Sequence, residues 1–205
     1  VKILDETTIK TMRKRYYTMR KSWPSEDEDV TREQLTALWT MVTVLRSPFA
    51  DFAVWVAFWT RMIKRKRFTG TILNTLGEIV SVEILGPPNY DVWESSYTCF
   101  ITGATMTDVI TNGRLVKYMK RIRDWARQYP QCWAIIYQAD VRMRSERSLR
   151  ILERLQEEHE QAMEDGRRSN FNPEMPWDSV FAYAIEEEDS WWYRNVKEPA
   201  QNVKT

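Results

Sequence analysis

Apolar residues recur at three- and four-residue spacings through most of the chain, which is the period of an amphipathic helix. From Thr31, the residues Leu35, Leu38, Trp39, Val42 and Leu45 share one face. Thr31 and Gln34 have capping-box spacing: the hydroxyl accepts from the third helical amide and the Gln side chain reaches back. Ser47-Pro48 predicts a second helix start, with Ser as cap and Pro at the first position. Phe52, Trp55, Val56, Trp59, Met62 and Ile63 would stripe that helix, and Ala53, Val54, Ala57 and Phe58 make its other side apolar too. Such a helix belongs in a core, and its cationic end (Arg61, Lys64, Arg65, Lys66, Arg67) suits the negative pole of the helix dipole.

The period changes between Phe68 and Leu85. β-Branched residues flank Asn74-Thr75-Leu76-Gly77, which predicts a β-hairpin near 68–85, a helix being the alternative. Gly86-Pro87-Pro88 breaks the chain. Asn89 can then cap a helix carrying Trp93, Tyr97, Phe100, Ile101 and Ala104, followed by a loop near 107–112. Leu115, Tyr118, Met119, Ile122, Trp125, Ala126 and Tyr129 give the cleanest stripe of the chain, ended by Pro130. Trp133, Ile136 and Tyr137 open a long helix that can run to Asp165, with Gly166 as its stop. Pro176-Trp177 starts a last helix with Trp177, Val180, Phe181, Ala184, Ile185 and Trp192, ended by Glu198-Pro199.

This pattern predicts a mainly α fold, a helical bundle of about six helices with one inserted β-hairpin. Residues 1–30 read as a basic, then acidic N-terminal arm and linker, with a short helix possible before the linker, 31–198 as the helical domain, and 199–205 as a polar tail. Ten Trp, nine Tyr and seven Phe support a packed core, since disordered chains are poor in aromatics. The net charge of +1 supplies no global field, so any polyanion site must come from local segregation of charge. Two cysteines, Cys99 and Cys132, form no disulfide framework and suggest an intracellular setting. No stretch reaches the ~18 apolar residues of a membrane span. A chain that begins at Val1 reads as a fragment of something longer.

Candidate chemistry is sparse. His159 is the one histidine, and its neighbours give neither the paired histidines of a zincin nor a doubled Glu-x-x-His. Both cysteines sit among aromatics, far in sequence from that histidine. The six glycines fit no phosphate-binding spacing. The reading is a non-enzymatic protein with no cofactor and no metal. Cationic clusters are the better candidates, because a basic stripe neutralises phosphates and interleaved aromatics stack on bases. They are Lys10, Arg13, Lys14 and Arg15 with Tyr16 and Tyr17; Arg61, Lys64, Arg65 and Arg67; and Arg114, Lys117, Lys120, Arg121 and Arg127. Asp140, Arg142 and Arg144, joined by Trp191, form a candidate interaction surface, the competing reading being ordinary ion pairs.

Asp51-Phe52-Ala53-Val54-Trp55, Lys66-Arg67-Phe68-Thr69-Gly70, Gly86-Pro87-Pro88-Asn89-Tyr90 with Trp93, and Cys132 through Arg142 with Arg144 and Glu146 follow one another in the chain. With Asn172-Pro173 and Pro176-Trp177, this ordered set resembles uncharacterised, retroelement-associated open-reading-frame proteins abundant in dinoflagellate genomes. The resemblance spans residues 52–196. Longer members place zinc-knuckle-like Cys/His clusters after this region, similar to a Gag protein by position. It implies a helical interaction or assembly domain, with a homo-oligomer or another protein as partner. The alternative is a nucleic-acid-binding module using basic clusters 10–21 and 61–67. No such Cys/His cluster lies within these 205 residues.

Overall fold

The computed structural model describes residues 2–55 and 67–204. Among the described residues there are seven helical rods and one antiparallel hairpin, as the hydrophobic period predicts. Helix α1 (Glu6–Arg20) is capped by Asp5, whose carboxylate accepts from the Thr8 amide. Helix α2 (Arg32–Thr43) begins with the full capping box of Thr31 and Gln34. The hairpin pairs β1 (Arg67–Leu73) with β2 (Ile79–Leu85). Helix α3 (Tyr90–Thr107), capped by Asn89, leads to α4 (Asn112–Gln128). Helix α5 (Trp133–Arg142) passes through a π turn at Met143–Arg147 into α6 (Ser148–Glu164). Gly166, at φ 66°, ends this rod where the sequence places its stop. Helix α7 (Pro176–Glu186) is followed by α8 (Asp189–Trp192), a π turn at Tyr193–Lys197, and α9 (Glu198–Lys204).

Helix α3 is the axis of the bundle and packs on α1, α2 and α4. A column of rings runs beside it: Tyr90, Trp93, Tyr97 and Tyr118 stack at centroid separations of 5.7, 4.7 and 5.9 Å. Phe52 meets Trp93 and Tyr97 edge-on. Offset and edge contacts of this kind suit the ring quadrupole and add to the area they bury. Helix α7 closes the far side against α4 and α6.

The hairpin presents Phe68, Gly70, Ile72, Val80, Val82 and Ile84 toward the helices and leaves Ile79, Ser81, Glu83 and Leu85 outside. Its seat on α5 is made by two glycines. A Cβ on Gly70 would lie 2.4 Å from Cβ of Ala134, and one on Gly86, at φ 152°, would strike the Tyr137 ring. Close approach of strand to helix requires glycine at both places.

Several expectations are corrected. Residues 1–30 are not an arm apart, because Ile9, Met12 and Tyr16 join the same core as the other helices. Ser47 caps no helix: residues 47–55 run irregularly, with a turn in which the Trp55 amide donates to Asp51. Residues 56–66, the rest of that expected helix, lie outside the described residues. The expected last helix is two rods, broken at Glu188. Pro199 does not end the second. The π turn ahead of it widens the backbone where proline lacks an amide and crowds the preceding turn. Residues 199–204 are therefore helical, with Ala200 fully buried.

Candidate functional site

A buried polar cluster lies in the core. Asp140 and Arg144 are one helical turn apart, and both side chains are 1% exposed or less. Nε and Nη2 of Arg144 donate to the two carboxylate oxygens at 2.8 and 2.7 Å. Trp93 Nε1 and the Tyr118 hydroxyl donate to the same oxygens at 2.8 and 2.9 Å. The remaining Arg144 Nη1 donates to the Ala50 carbonyl, and the guanidinium sits 4.0 Å above the Phe52 ring. Burial works against the Arg144 charge, but the Asp140 carboxylate outweighs it and raises the guanidinium pKa. Burial first, and the Asp140 charge second, push the Tyr118 hydroxyl well above its ordinary value.

The π turn completes this cluster. The Ser148 amide bonds to Met143 rather than to Arg144, as a wider turn requires. The released Arg144 carbonyl accepts from the hydroxyls of Ser47 and Ser148. All charged and polar atoms here are used in holding segments 47–52, α3, α4 and α5 together. Asp140 and Arg144 are thus no interaction surface. Trp191 is also buried, set perpendicular to Trp192. Of the four residues, Arg142 is the exposed one, and it donates to Asn195.

The basic clusters divide. On α4, Arg114 faces Asp178 and Glu186, Lys117 faces Glu186, Lys120 faces Asp124, and Arg121 reaches Asp189 and the Ile185 carbonyl. Carboxylates of α7 and its flank thereby neutralise most of the stripe. Arg61, Lys64 and Arg65 lie outside the described residues, and Arg67 pairs with Glu83. On α1, Lys10 pairs with Glu6, and Arg13 grips Asp29 through two bonds that raise its pKa. Arg15 donates to the Met106 carbonyl at the end of α3, where a cation meets the negative helix pole. Tyr16 is buried.

What remains exposed at the end of α1 is an aromatic pair with two lysines. Tyr17 and Trp23 are 43% and 56% exposed, and their rings meet at 4.8 Å. Lys14 and Lys21 flank Tyr17 at three- and four-residue spacing, and neither makes an ion pair among the described residues. The sequence singled out Tyr17 but missed Trp23, whose position just before Pro24 gave no periodicity to read.

A cleft of about 560 Å³ opens between α6, α7 and residues 165–175. Its Arg114 is paired with Asp178 and Glu186, and its Arg167 with Asp165. His159 packs on Phe171 beside this region. Cys99 and Cys132 are buried, and no cluster of metal-ligating side chains occurs among the described residues. No helix among them is long and apolar enough to cross a membrane. No family model matches the chain, and comparison with curated proteins and with solved structures finds no match.

Proposed function

We propose that this chain is a non-enzymatic helical interaction and assembly domain, comparable in role to the Gag-like core that its resemblance suggests. The observation that carries the reading is the exposed hairpin. Leu76 at its tip is 80% exposed, Ile79 and Leu85 are 54% and 44% exposed, and β2 has no second strand beside it among the described residues. A two-stranded sheet is marginal alone, and an apolar, unpaired edge strand is a natural pairing surface. Sedimentation velocity across a wide protein concentration range tests this. Reversible growth in mass is expected, and a strict monomer at high concentration overturns it.

The second reading is nucleic-acid contact at the end of α1, and Tyr17, Trp23, Lys14 and Lys21 favour it. An exposed ring pair offers a face on which an unpaired base can stack, and adjacent lysines can meet its phosphates. Binding of a labelled single-stranded oligonucleotide at low salt, weakened by Trp23→Ala and by added salt, is the expected result. No binding at low salt removes this reading.

A further inference from the structure

We infer that β2 is the assembly interface, pairing antiparallel with β2 of a second copy about a twofold axis at Val82 to give a four-stranded sheet; this rests on the assembly reading above. The turn fixes which residues of β2 face β1. The Asn74 amide donates to the Glu78 carbonyl and the Gly77 amide to Asn74, which closes the hairpin on the pair Asn74 and Glu78. Bonded and non-bonded pairs alternate along an antiparallel ladder. With the register Leu73 to Ile79, Ile72 to Val80, Thr71 to Ser81 and Gly70 to Val82, the residues of β2 that bond inward to β1 are Val80, Val82 and Ile84. The backbone groups of Ile79, Ser81, Glu83 and Leu85 therefore point away from β1, along the open edge.

That set is self-complementary. A twofold axis at Val82 places Ser81 opposite Glu83 of the second copy and Ile79 opposite Leu85 of the second copy. Each of these pairs has both of its amide and carbonyl groups turned outward, so each can exchange two hydrogen bonds. The two most exposed apolar side chains of the strand cover one another, and no charge faces its like directly. Glu83 meets a serine while keeping Arg67 of its own hairpin beside it at 3.1 Å. Strand β1 lacks this symmetry: Arg67 would face Leu73, and β1 is the strand that packs on α5.

Edge strands that must stay single commonly carry lysine, proline or a bulge. Strand β2 reads Ile-Val-Ser-Val-Glu-Ile-Leu, has none of these, carries a single charge, Glu83, that Arg67 pairs, and keeps regular pairing along its length. A twofold arrangement pairs the open β2 edge of both copies at once and leaves β1 at each margin of the four-stranded sheet.

The test uses two opposite charges at one exposed position in the whole chain, read by sedimentation velocity. Ser81→Glu puts a carboxylate opposite Glu83 of the second copy, twice per dimer, and should weaken the dimer roughly three- to tenfold. Ser81→Lys puts an ammonium there and should tighten it by a similar factor. Ser81→Pro deletes an outward amide that the hairpin does not use and should abolish dimerisation. Circular dichroism of each variant should match the parent. A dimer whose affinity is unchanged by both charges overturns the β2 assignment while leaving assembly standing. A parent chain that never self-associates overturns both.

Discussion

Replacing Asp140 with Asn tests what the buried cluster does. The carboxylate accepts four hydrogen bonds, from Trp93, Tyr118 and twice from Arg144, shared between its two oxygens. An amide keeps the shape but offers one oxygen. Whichever way it turns, its NH2 group meets two donors, and the guanidinium loses its countercharge in a site sealed from water. Removing one partner of a buried ion pair costs about 3–5 kcal/mol, because the charge left behind is uncompensated. Against a total stability of ~5–15 kcal/mol this is a large share, and the midpoint of thermal unfolding should fall by roughly 10 °C. Urea unfolding followed by circular dichroism measures the loss. The double variant Asp140→Asn with Arg144→Met should recover part of it, since no buried charge then remains. A cost below ~1 kcal/mol for Asp140→Asn, or a double variant whose loss equals the sum of the two singles, would refute the account.

Gly70→Ala should cost about 1–3 kcal/mol by pushing β1 off α5, and Ala134→Gly in the same chain should restore most of it. Thr31→Ala removes one half of the capping box and should lower stability by about 1 kcal/mol. The hydroxyls of Tyr97 and Tyr118 have pKa values raised well above 10.0, first by burial. A raised folded pKa means the stabilisation is complete below about pH 10 and is lost as pH climbs toward the folded values, by up to ~1.4 kcal/mol per pH unit for each group. Stability measured from pH 8 to 12 should therefore be flat and then fall. Tyr118→Phe should be less stable at neutral pH but fall less steeply in alkali.

The parts legible in the sequence are those written in local chemistry. The Thr31 and Gln34 box, the Asn89 cap, the glycine stop at 166 and the Asn74-to-Gly77 turn each need only neighbours within a few residues. The parts that were not legible depend on distant ones. Ser47-Pro48 has the form of a helix start, yet the Ser47 hydroxyl is used by the carbonyl that a π turn releases nearly a hundred residues later. Asp140 and Arg144 at four-residue spacing read like a surface pair. The contrary signal was the apolar company on their face, Ala139 and Met143, both buried. Helix α1 hid because its core stripe is narrow, three residues among many cations.

Three of the segments that carry the family resemblance, residues 51–55, 86–93 and 132–146, meet at this cluster. Phe52, Trp93, Asp140 and Arg144 are in direct contact there. Groups that are buried and mutually satisfied in this way hold the fold together. Most cations of α4 face carboxylates, so that helix retains little field with which to draw a polyanion. Two features remain whose exposure the packing of the described residues does not require: a strand edge with unpaired backbone groups, and a ring pair at the end of α1. The edge commits whole ladders of hydrogen bonds and two apolar pairs, whereas the rings offer a single stacking face. Directional bonds in register fix one arrangement between identical copies, and that is why assembly through β2 is the stronger of the two readings.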